Sequence, residues 1–106
     1  MKNIQIVEKA DGSIEPEESF TVRRHRGETF QFLAPAGTKG LTITFVAGSP
    51  FRDADGKERR QVGYGEDLTI AGEARTYGFT CEVMKNGVTL RSKTKTGGEI
   101  EVPPLP

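Results

Sequence analysis

The most restrictive feature of this chain is a run of alternating apolar side chains over residues 75–84, where Tyr77, Phe79, Cys81 and Val83 fall at every second position. Successive side chains of an extended backbone point to opposite faces, so these four share one face of a strand. The same period recurs in Leu41, Ile43 and Phe45, separated by Thr42 and Thr44. Branched and aromatic residues of this kind suit a half-buried pleated surface. Further strands are expected at residues 3–8, 19–24, 29–33, 61–64, 67–70, 87–92 and 99–102. Phe20, Val22, Phe30 and Phe32 are expected to point inward. No window carries apolar residues at helical spacing with capping signals at its ends.

The punctuation between these runs supports the same reading. Asp11-Gly12, Pro35-Ala36-Gly37 and Ala71-Gly72 mark turns, Glu15-Pro16-Glu17-Glu18 reads as an acidic connection, and residues 48–57 read as a long loop. Asn86-Gly87 is the strongest hairpin signal, because both residues tolerate the positive φ of a tight type I′ turn. Short strands separated by frequent turns predict an all-β fold, a two-sheet Greek-key β-sandwich of about seven to nine strands. Residues 1–102 are expected to form one domain, with Pro103-Pro104-Leu105-Pro106 as an extended tail that cannot continue a ladder.

Charge and composition narrow the function classes. Fifteen basic and fifteen acidic residues give no net attraction to nucleic acid or to an anionic membrane. A single cysteine excludes an intramolecular disulfide. The start of the chain has no apolar stretch long enough for a signal peptide or a membrane span. The protein is therefore expected to be cytoplasmic if Met1 is the native start, and periplasmic or secreted if a leader has been removed.

Two segments together carry a family resemblance. Gly27-Glu28-Thr29-Phe30-Gln31-Phe32, followed by a loop and Leu41-Thr42-Ile43-Thr44-Phe45, resembles a pair of strands in the cupredoxins, the blue-copper proteins. Gly72-Glu73-Ala74-Arg75-Thr76-Tyr77-Gly78-Phe79-Thr80-Cys81, closing on Gly98-Glu99-Ile100-Glu101-Val102, is similar to the closing motif of that family. The resemblance implies a copper site of two His, one Cys and a weak axial ligand. Only Cys81 stands where that pattern wants a ligand. Leu41 falls at about the position of the first His, no His follows Cys81, and the sole histidine, His25, lies in the earlier 19–26 run. A cupredoxin-like domain without copper or any other cofactor is the expectation.

The remaining candidates are local. Cys81 reads as a core thiol, with a soft-metal role alongside Met84 as the alternative. Asp53-Ala54-Asp55-Gly56-Lys57-Glu58 has the carboxylates of a calcium loop without its full spacing, and reads as a surface turn. Lys85, Arg91, Lys93 and Lys95 form a basic group with no acidic residue between Lys85 and Gly98, open to an acidic partner or readable as a solvated edge. Arg23-Arg24-His25-Arg26 is a second basic feature. Phe51, in the long loop, is either a partner-binding anchor or a plug for one end of the core. No nucleophile–base pair or phosphate loop is present, so an enzyme is not expected. The functional expectation is a non-catalytic, metal-free binding module acting on an unknown protein partner, monomeric or weakly dimeric. The alternatives are a Cu(I)-binding or electron-transfer protein using Cys81 and Met84, and a structural immunoglobulin-like module.

Overall fold

A computed structural model describes residues 3–93 and 96–104. Among these there is no helix. Eleven strands run in the order β1 (Ile4–Glu8), β2 (Ile14–Pro16), β3 (Thr21–Arg23), β4 (Thr29–Phe30), β5 (Phe32–Leu33), β6 (Lys39–Phe45), β7 (Gln61–Gly63), β8 (Leu68–Thr69), β9 (Arg75–Lys85), β10 (Val88–Arg91) and β11 (Gly98–Val102). The main sheet has the order β3-β11-β9-β6-β7, with β10 also on β9. A three-stranded sheet runs β2-β1-β5, and β4 pairs β8 in a short ribbon. Most pairs are antiparallel, while β1–β5 and β3–β11 are parallel.

The longest strand organises the rest. Along one edge of β9 lies β6, with Ile43 opposite Cys81 and Phe45 opposite Phe79. Along the other edge β11 pairs the first half of β9, with Ile100 opposite Tyr77, and β10 pairs the second half, with Leu90 opposite Val83. The expected period of two is present in the burial. Tyr77, Phe79, Cys81 and Val83 are buried, as are Leu41, Ile43 and Phe45, and the residues between them are not.

Between the sheets the core is aromatic. Phe79 meets Phe32 and Phe45, Phe45 meets Phe51, Phe51 meets Phe30, and Phe30 returns to Phe32, each pair with centroids 5.5–5.8 Å apart and rings steeply inclined. Five phenylalanines thus close a ring of edge-on contacts, the geometry the aromatic quadrupole prefers. The contact between Phe32 of the small sheet and Phe79 of the large one ties the two layers together. These layers, packed through a common apolar core, are consistent with a β-sandwich.

Three sequence expectations change. Residues 29–33 were expected as one strand, but Gln31 separates β4 from β5 and the two halves join different sheets. Phe30 and Phe32 still both point inward. Glu15 and Pro16, read as part of an acidic connection, belong with Ile14 to the edge strand β2, because Ile14 and Pro16 bury one face against the core while Glu15 stays outside. These short strands raise the count above nine. Phe20, expected inward beside Val22, is 46% exposed. The space beside Gly98 holds Phe79 and Pro16, whose Cζ and Cγ lie 2.8 and 2.9 Å from where a Cβ on Gly98 would stand.

Candidate functional site

Four of the sequence candidates, Cys81, Met84, Lys85 and Arg91, lie on the far half of β9 and its hairpin. Asn86 and Gly87 carry φ of 51° and 78°, as a type I′ turn requires, and join β9 to β10 with Lys85 opposite Val88. Cys81 lies on the inward face of β9, 2% exposed. Burial pushes its thiol up to about 12, so the sulfur carries its proton at neutral pH and faces the apolar core. Met84 is half-exposed at the opposite parity of the same strand. The two sulfurs therefore sit on opposite faces and do not converge on one ion.

His25 is remote from both. It follows Arg23, which lies opposite Glu101 of β11, and Glu101 lies opposite Thr76 of β9. That level is five residues from Cys81, roughly 16 Å along a strand rising 3.3 Å per residue. Among the described residues no three His, Cys, Asp or Glu side chains gather as a metal cluster. The Asp53 loop turns its carboxylate on itself, since Asp53 Oδ1 accepts the N–H of Asp55 and of Lys57 at 2.9 and 3.0 Å.

The basic group is dispersed. Lys85 shares the inward parity of β9 and reaches across to Glu8 of β1, Nζ to Oε1 2.7 Å, closing the end of the core between the sheets. Arg91 lies on the outer face and pairs Glu82 directly across the ladder at 2.9 Å. Lys93 meets Asp11 of the β1–β2 turn at 3.2 Å. Lys95 lies outside the described residues. Each described cation of this group is matched by a carboxylate, and the group presents no single basic face. Phe51 is 1% exposed and belongs to the aromatic ring, where it plugs the core.

Two features were not read from the sequence. Arg24, inside the second basic run, is 2% exposed. Its guanidinium lies 5.5 Å from the centroid of Phe30 and bonds Glu18 at 3.0 Å, so it is packed and paired. The i, i+6 spacing of Glu18 and Arg24 was the only available hint. Phe20, displaced from the core, instead lines a groove of about 460 Å³ with Lys9, Asp11, Ile14 and Lys93. The charges on its rim are already paired, Lys9 with Glu15 and Lys93 with Asp11.

What the hairpin does leave open is backbone. Ser92 N–H donates to the Cys81 carbonyl at 3.1 Å, which fixes the phase of the ladder. In an antiparallel pair bonded and non-bonded couples alternate, so Leu90 and Val88 direct their N–H and C=O toward β9 while Thr89 and Arg91 direct theirs away. Among the described residues nothing bonds those outward groups. A scan of the chain against protein-family models finds no match, and a search among curated proteins finds none.

Proposed function

We propose that this chain is a non-catalytic, metal-free module with cupredoxin-like, Greek-key wiring, and that it works by binding a protein through an exposed strand edge. The observation that carries the reading is the condition of Cys81. It is the one residue in a copper-ligand position, yet it is a buried, protonated thiol facing apolar neighbours. Leu41, at about the place of the first histidine, is itself a core side chain on the same inward face of the sheet. Building a trigonal site would require two imidazoles where the chain has one, and that one is distant.

The wiring has its own support. Parallel pairing of β1 with β5 and of β3 with β11 arises when strands cross between two layers instead of following a simple meander. Tyr77, at the start of β9, turns its hydroxyl back to the carbonyl of Glu73 at 2.7 Å, a tyrosine corner of the sort found in Greek-key sandwiches. The Cu(I) alternative loses ground because Cys81 and Met84 occupy opposite faces.

Copper titration tests the reading. Purified protein is expected to give no visible thiolate-to-copper band with Cu(II), and to take up no stoichiometric Cu(I) in competition with a Cu(I) chelator under reducing conditions. Cys81→Ala should behave as the parent does. Stoichiometric copper uptake that disappears in Cys81→Ala would overturn it.

A further inference from the structure

The six-stranded sheet ends in three edges, β3, β7 and β10. Two of them carry a cap on an outward backbone group. On β7 the N–H of Gly63 donates to Glu66 Oε2 at 2.6 Å, and Glu66 is held by Arg59 at the same distance. On β3 the carbonyl of Arg23 accepts the buried Arg24 guanidinium at 2.7 Å. In the smaller sheet the edge of β5 is met by Gly65 N–H on the Phe32 carbonyl, and β2 is interrupted by Pro16, which has no N–H. Natural sheets commonly block their edges in such ways, because an open edge is a template for another strand. On β10 the outward groups of Thr89 and Arg91 are met by no described residue.

We infer that this edge pairs with the β10 edge of a second copy, antiparallel about a two-fold axis, with Thr89 facing Arg91 of the second copy. The inference deepens the interaction-module reading and rests on it. The spacing admits a copy of the same strand, and the side chains on the two faces favour it as occupant. Two open residues separated by one closed residue are self-complementary, and this register uses all four outward groups of each strand in four N–H···O bonds. On the outer face the row reads Glu82, Arg91, then Thr89 and Met84 of the second copy, so each arginine, already held by its own Glu82, meets a neutral residue instead of its like. On the inner face Leu90 faces Leu90 of the second copy as a close non-bonded pair. Val88, 60% exposed, gains cover beside it. The contact is short and falls below about 1,200 Å², the range of weak associations, so a dissociation constant on the order of 0.1–1 mM is expected.

Sedimentation from about 10 µM to about 1 mM, read with substitutions at Thr89, tests both the association and its register. The parent chain should pass from monomer to dimer. Thr89→Glu sets a carboxylate opposite Arg91 of the second copy, twice by symmetry, and should tighten the dimer by roughly two- to thirty-fold; Thr89→Lys should weaken it by a similar factor. Thr89→Pro removes an N–H that is free in the monomer and should abolish the dimer with the monomer still folded by circular dichroism. Should the proline variant unfold, the Glu and Lys variants still decide the matter. A parent chain monomeric at every concentration, or a dimer that responds alike to Thr89→Glu and Thr89→Lys, overturns the inference. A monomer that also leaves copper unbound removes the dimer and keeps the metal-free module, whereas a thiolate–copper band removes that module whatever the sedimentation.

Discussion

Phe79→Ala removes a ring through which the small sheet and the large sheet touch. Phe79 is fully buried and contacts both Phe32 and Phe45 with centroids 5.6 Å apart. Truncating a buried Phe costs about 3–5 kcal/mol, and the figure rises with the volume that the surroundings fail to refill. Here refilling is restricted. Gly98, beside the end of the ring, has no side chain to move in, and the neighbouring Pro16 is fixed in β2. Phe32 and Phe45 are each held by a second aromatic partner, Phe30 and Phe51. The upper half of the range, about 4–5 kcal/mol, is therefore expected. Against a typical total of about 5–15 kcal/mol that is a large share, and for a domain of this size it corresponds to roughly 15–20 °C in Tm.

The assay is urea and thermal unfolding followed by far-UV circular dichroism, with Phe20→Ala as the control. Phe20 is 46% exposed, and its truncation should cost under about 1 kcal/mol. A loss below about 1.5 kcal/mol for Phe79→Ala, or equal losses for the two variants, would refute the account of the core.

Two further predictions concern titratable groups. With the Cys81 thiol pushed up to about 12 by burial, roughly one molecule in ten thousand carries thiolate at pH 8, so native protein should resist an aromatic disulfide reagent and react only as it unfolds. Fast stoichiometric labelling of folded protein would contradict this. Asp11 is held down to about 2 by the Ser13 hydroxyl first, then by the Ser13 N–H and Lys93. A depressed carboxyl stabilises the fold above its unfolded value and loses that contribution as pH falls from about 4 toward 2. Asp11→Asn should flatten the acid limb of the stability curve within that window. An unchanged slope there would show that Asp11 contributes nothing to it.

The strands with the strongest alternation were legible because burial and period coincide. At residues 41, 43, 45, 77, 79, 81 and 83 each inward position is apolar, and a slip of one residue would bury Thr44 or Glu82. Phe20 was misread because period alone assigns a face without saying whether anything lies opposite it. Pro16, by contrast, is buried although its segment has too few apolar positions to register as a strand. The break at Gln31 was invisible for a similar reason: Phe30 and Phe32 face the same core from two different sheets, so the alternation runs through the break unaltered. At the candidate site, charge was legible and pairing was not. No acidic residue lies between Lys85 and Gly98, yet Lys85, Arg91 and Lys93 are met by Glu8, Glu82 and Asp11 through contacts 9 to 82 residues apart. Arg24 failed in the opposite direction, since nothing in Arg-Arg-His-Arg marks which cation is packed over Phe30.

The open edge follows from one turn. β9 is long enough to be flanked along only its first half by β11, and its second half would end the sheet on that side. The two-residue Asn86-Gly87 turn folds the chain back as β10, which satisfies the outward backbone of β9 and carries the edge one strand further out. A hairpin return can satisfy only one of its own two sides. On β7 the turn that follows supplies Glu66 to Gly63, whereas after β10 the chain leaves through Ser92 and returns to β9 at Gly97, whose N–H bonds Phe79. Those bonds point into the sheet. The Asn86-Gly87 turn that closes the hairpin thus also moves an open ladder to the surface, at Thr89 and Arg91, where another strand can take it up.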